Sequence, residues 1–238
     1  MKRRATPRLP PAGWCAAIAV ALVVGASGCA STSSLQWYEP APAERSEPLA
    51  DALEVLPVID ERPLKGRTSL GPGFLAIIPL VPYGHQQISP DRFTGNFPSE
   101  ILGTVVADVR AAGVARQVFQ KGDLLPGQAA PENAYTLHLR LTEGIFHRNV
   151  TLYGVSFFGA FLALVGLPTS YGRVEIGLDA EVKNATGESL GREQFRGTAG
   201  AKDWLYYPMP AAYPRKLPEA YAALSPELRR FLREALSP

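Results

Sequence analysis

At 238 residues, 46% hydrophobic and 19% charged, the chain carries enough apolar material for one globular domain and lies outside the disordered class. Its formal charge of +2 depends on the N-terminus: without Lys2, Arg3, Arg4 and Arg8, 20 cations face 22 acids and the net charge becomes −2. Such a chain has no basic face for nucleic acid or anionic lipid.

The first 28 residues read as an export signal, with "MKRRATPR" as the cationic region, "GWCAAIAVALVVG" as the apolar region and a small-residue cleavage site. Arg3-Arg4 lacks the residues that follow a twin-arginine pair. The cleavage site, Ala26-Ser27-Gly28-Cys29, resembles the lipobox of bacterial lipoproteins, with Ala26 where Leu is usual. An ordinary secretory cut after Gly28 or Ala30 is the alternative. The resemblance implies a diacylglyceride on Cys29 and an acylated new N-terminus, and two or more chains make a stable anchor. Ala30 stands where a retention signal would have Asp, which implies an outer-membrane lipoprotein facing the periplasm. Cys15 is then discarded and Cys29 acylated, so no disulfide remains.

Residues 29–50, rich in Ser, Ala, Pro and Glu, read as an acylated, disordered tether, and 51–238 as a single domain. "ALEVLPVID", 52–60, is the first strand, and "ERPLKGRTSLGPG" a loop. "FLAIIPLVPYG", 74–84, is uncharged, and Pro79 and Pro82 argue against a helix interior or a central strand. His85 falls in a loop. A helix starts near Pro98-Ser99-Glu100 with Ser99 as cap; Ile101, Leu102, Val105, Val106 and Val109 form its face and Gly113 its stop. "VARQVF" is a second strand.

"AYTLHLRLTEGIF" alternates, with Tyr135, Leu137, Leu139 and Leu141 opposite Thr136, His138, Arg140 and Thr142. "LYGVSFFGAFLALVGLP", 152–168, carries no charge. Val174, Ile176, Leu178, Ala180 and Val182 then alternate with Glu175, Asp179, Glu181 and Lys183, and "KNATGES" supplies a hairpin turn to an antiparallel strand. An aromatic loop, "DWLYYPMPAAYP", leads to an amphipathic helix with Leu228, Phe231, Leu232 and Ala235 on one face, interrupted at Pro226. The expected fold is α+β: a mixed, mostly antiparallel sheet of about four to five strands packed by two helices.

That element order, with "AAGVARQVF" feeding a strand and with "IPLVPYG" and "YG...GLP" runs at 78–84 and 153–168, resembles the TolB amino-terminal domain and the curli-channel lipoproteins. It is also similar to a broad group of bacterial lipoproteins without an assigned activity. The resemblance implies an envelope protein and brings no catalytic residues.

No phosphate loop, dinucleotide fingerprint or nucleophile elbow occurs, and no mature thiol remains. His85, His138 and His147 lack metal-ligand spacing, so neither a metal nor another cofactor is expected. Asn184-Ala185-Thr186 is a turn rather than a glycan acceptor. Asp60, Glu61 and Arg62 form a charged cluster at a strand exit, read as a solvated ion pair. With His85, Asp60 and Glu61 also define the rival reading, an envelope hydrolase or small-ligand site.

The 152–168 run spans roughly 26 Å as a helix, short of the ~30 Å hydrocarbon core, and neither of its alternating phases is polar enough to line a barrel pore. Two readings remain: it packs on 74–84, or the pair form one exposed apolar surface. In the second, Phe74, Ile77, Ile78, Tyr153, Phe157, Phe158, Phe161 and Leu164 contact a partner or the bilayer. The function read from the sequence is a non-enzymatic, lipid-anchored envelope protein that binds a protein partner, itself or the membrane.

Overall fold

The computed structural model describes residues 38–42, 47–63, 68–70, 82–123, 131, 133–151, 170–203 and 209–237. The strands are β1 (Ala50–Val55), β2 (Ile59–Asp60), β3 (Thr68–Leu70), β4 (Pro82–Ile88), β5 (Ala115–Gln120), β6 (Tyr135–Thr151), β7 (Ser170–Lys183) and β8 (Ser189–Asp203). The helices are the single turn α1 (Asp91–Thr94), α2 (Phe97–Ala112) and α3 (Met209–Leu236). All eight strands join one mixed sheet, where four to five were expected. The additions are short: Pro57 splits the first apolar run so that β2 stands apart, β3 has three residues, and "PYGHQQI" of β4 lacks an apolar alternation.

β6 is the axis of the sheet. One edge pairs antiparallel with β7 from Thr136 to Val150. The other edge is shared: β1 and β2 pair parallel with its first half, and β4 pairs antiparallel with its last residues. β5 extends the sheet beyond β1, β3 beyond β4 and β8 beyond β7. Pro82 opens β4 at a register shift, a position where its missing N–H costs the ladder little.

Both long helices lie on one face of the sheet, α3 over β8 and β7 and α2 over β5; on that face Val174, Ile176, Leu178, Ala180 and Val182 have 0% exposure. α2 is capped by Asn96, whose side-chain oxygen accepts from the Ser99 N–H at 3.3 Å. Ser99, expected as the cap, thus supplies the donor instead, because Pro98 and Phe97 already belong to the first turn. Gly113 ends the helix at φ 64°, a left-handed position that suits glycine.

α3 runs unbroken for 28 residues, whereas an interruption was expected at Pro226. Proline removes one backbone donor, but Leu217, Tyr221, Leu224, Leu228 and Leu232 on both sides of it are fully buried against the sheet. That shared packing holds the two halves in line. The helix lies so close to β8 that a Cβ on Gly197 would sit 1.8 Å from the Ala220 carbonyl oxygen. Glycine there is a condition of the contact.

Candidate functional site

The half of β6 nearer its C-terminus carries the chemistry. Leu137, Leu139 and Leu141 face the helices, but a bulge between Leu141 and Glu143 shifts the phase, so Gly144 and Phe146 point inward next. Without the bulge, His147 would continue the odd-numbered inward row. With it, His147 stands on the outer face and its Nε2 lies 2.9 Å from Glu175 Oε2 of β7. Arg173 also pairs with that carboxylate. On the other side His147 Nδ1 is 3.5 Å from His85 Nε2 of β4, and His85 Nδ1 is 3.0 Å from Asn149 Oδ1. His85 is therefore a strand residue, not a loop residue.

Next to this row β6 has a notch. β2 pairs with it only as far as Leu141, and β4 begins at Phe146. Arg62 fills the gap, 6% exposed at its side chain, with Nη2 2.7 Å from Asp60 and 2.9 Å from Asp91. Its guanidinium lies 5.3 Å from the centre of the Phe97 ring. The sequence reading of a solvated ion pair is thus corrected: the pair exists, but Arg62 is buried because the split edge of β6 leaves a slot for it. The Arg62 hydrogen bond holds the Asp60 carboxyl below its ordinary range. Burial pushes Asp91 up, but bonds from Ser89, the Phe97 N–H and Arg62 outweigh it and the net shift is downward. A cleft of about 400 Å³ opens here, lined by Arg62, Gln87, Glu143, Ile145, His147 and Glu175.

A second polar cluster lies between the helices. Asp108 of α2 is fully buried; it accepts from Tyr38 at 2.7 Å, Ser225 at 2.7 Å and Arg229 at 2.5 Å. Burial pushes the Tyr38 phenol up to about 12 and also raises Tyr221 well above its ordinary value, so both stay protonated at neutral pH. Tyr38 also meets the Tyr221 ring edge-on at 4.7 Å. The segment read as a disordered tether is therefore docked at Tyr38, and again at its end, where Ala50 opens β1; beside Tyr38 lies a cleft of about 520 Å³ reached by Arg229, Arg230 and Arg233.

A third feature is one end of the sheet. Pro82 registers with Thr151, Val150 with Ser170 and Ser170 with Asp203. The chain segments 71–81, 152–169 and 204–208, which hold most of the two uncharged runs and part of the aromatic loop, connect to strand ends at this end of the sheet. Beneath it Ser170 is fully buried and accepts from Arg148 Nε at 2.9 Å, while Arg148 Nη1 donates to Gln86 at 3.3 Å.

Cys29, Phe74, Ile77, Ile78, Tyr153, Phe157, Phe158, Phe161 and Leu164 lie outside the described residues. Asp60, Glu61 and His85 are not brought together: Asp60 registers with Leu141 and His85 with Asn149, roughly 25 Å apart along β6. Glu61 instead pairs with Arg140 at 3.0 Å. The sequence did not reveal the pairing of His85 with His147, since only the bulge and the β4 register create it. Among the described residues no helix is long and apolar enough to cross a membrane. No group of three or more His, Cys, Asp or Glu residues among them is placed to hold a metal.

No protein-family model matches the chain, and no curated protein matches it. Solved structures that align with the chain include protein XCC0632 from Xanthomonas campestris, of the DUF330 family, at 12% identity and TM-score 0.42, covering 87% of this chain and 91% of that one. The PelC dodecamer from Paraburkholderia phytofirmans matches at 11% identity and TM-score 0.36, covering 84% and 95%. A predicted lipoprotein from Caulobacter crescentus matches at 14% identity and TM-score 0.32, covering 56% and 82%. Likeness at this level carries no functional argument.

Proposed function

We propose that the protein is a non-enzymatic module of the bacterial envelope, anchored by acyl chains on Cys29, whose apolar sheet end rests on the membrane surface. The observation that carries this reading is the register of β4, β6, β7 and β8, which attaches both uncharged runs and the aromatic loop to one end of the sheet.

Chain geometry supports it. Tyr38 docks beside Tyr221 and Ser225 of α3, and the neighbouring Ala220 packs on Gly197 of β8. From Gly197 to the end of β8 at Asp203 is ~20 Å of strand. From Tyr38 back to Cys29 the extended chain reaches about 30 Å. The anchor can therefore stand at the same end as the apolar segments.

Vesicle flotation tests the proposal. The Cys29→Ser protein should leave washed membranes, because the covalent anchor is gone, yet still float measurably with neutral phosphatidylcholine vesicles. Deleting 157–165 in that background should abolish flotation while leaving the urea midpoint close to the parent's. A Cys29→Ser protein that never floats, or one that floats equally well after the deletion, overturns the membrane reading. Recovery of a stoichiometric protein partner that depends on 157–165, without flotation, would replace the bilayer with that partner.

A further inference from the structure

We infer that His85 and His147 form a two-histidine binding site for a divalent transition-metal ion on the face of the sheet turned away from α2 and α3, called the open face below. The inference rests on how each imidazole is held. Glu175 Oε2 lies 2.9 Å from His147 Nε2, and a carboxylate can only accept, so the proton of a neutral His147 sits on Nε2. The carbonyl oxygen of Asn149 lies 3.0 Å from His85 Nδ1, so the proton of a neutral His85 sits on Nδ1. Both remaining lone pairs, on His147 Nδ1 and His85 Nε2, then point toward each other across 3.5 Å. Two facing acceptors repel; a cation between them turns the repulsion into two bonds.

The spacing suits an ion. Metal–imidazole bonds of about 2.0–2.1 Å from nitrogens this far apart subtend roughly 113–122° at the ion, near the tetrahedral value. The partners on the far nitrogens are those that metal-binding histidines use: a carboxylate and a carbonyl, which fix the tautomer and ring orientation. The rings are already nearly aligned, with an interplanar angle of 30° and centroids 5.5 Å apart. Both side chains stand on paired strands, with Gln87 opposite His147 and His85 opposite Asn149, so backbone register rather than loop ordering sets their separation. Glu175 is 11% exposed at its side chain and places a negative charge behind His147. Imidazole pairs suit Zn²⁺, Ni²⁺ and Cu²⁺ rather than Ca²⁺ or Mg²⁺. Solvent or a small ligand completes the coordination sphere.

The test is titration of the full-length protein in detergent with Zn²⁺, and separately with Ni²⁺, after chelator treatment. One equivalent should bind saturably, and His85→Ala or His147→Ala should each weaken that binding at least tenfold. Asn149→Ala and Glu175→Gln, which keep both ligands, should weaken it by about tenfold or more. His138→Ala is the control for adventitious imidazole binding and should change nothing. Nitrogen-15 spectra of the metal-free protein should show His147 protonated at Nε2 and His85 at Nδ1. Equal binding by parent and by the His85→Ala, His147→Ala double variant overturns the site. A proton on His85 Nε2 donated to His147 does so too, because the pair is then a satisfied hydrogen bond.

Discussion

The two faces of β7 are built from the same strand and behave as different materials. On the helix side, Val174, Ile176, Leu178, Ala180 and Val182 are buried by side chains whose exact partners matter less than their volume. On the other side Glu175 and Asp179 are also nearly buried, at 8% and 4% exposure, yet each is covered by long charged neighbours rather than by a helix among the described residues. Arg192 bonds Asp179 through Nε at 2.9 Å and Nη2 at 2.5 Å. The covered face draws its strength from apolar area, and the open face gains geometric definition from charge pairs that add little stability.

Breaking the helix layer should cost most. Asp108→Ala leaves Arg229, 13% exposed at its side chain, without its carboxylate, and the loss of a buried partner is expected to cost about 3–5 kcal/mol by urea unfolding. Gly197→Ala forces α3 away from β8, at about 1–3 kcal/mol. If either proves neutral, the contrast between the faces is wrong.

The open face should respond to acid more than to truncation. Asp179 is held below its ordinary range chiefly by its hydrogen bonds from Arg192. A depressed carboxyl contributes stability that is present above its unfolded pKa of about 3.9 and disappears as pH falls through the lower folded value. Between pH 5 and pH 3 the Asp179→Asn variant should therefore lose less stability than the parent. Arg192→Ala at neutral pH should cost under about 1 kcal/mol, since that side chain is half exposed. A larger loss would show that the open face also bears stability.

Much of the covered face was legible in the sequence. Alternation in 135–141 and 174–182 placed every inward residue, and the spacing of Ile101, Val105 and Val109 located α2. Alternation could not announce the bulge at Leu141/Glu143, because "LTEG" has no residue that demands one, and every side chain after it changes face. Nor could it find β4, whose pairing follows from the tertiary register of a polar heptapeptide. The expected break at Pro226 failed for a related reason: local propensity was outweighed by apolar contacts on both sides of the proline. The residues that gather at the open face were each visible, but their adjacency depended on these features.

The divided edge of β6 also bears on the order of assembly. On the opposite, undivided edge β7 pairs with β6 and β8 with β7; both follow β6 in the chain, and a turn at Asn184–Glu188 joins those two. By contrast, Leu53 meets Tyr135 across 82 positions. Closing the longer loop has the larger entropic cost and comes later. The β7–β8 hairpin is thus the local pairing from which assembly is expected to start, and β1, which pairs across the longest stretch of chain, is expected to complete the half of the sheet that the hairpin cannot provide.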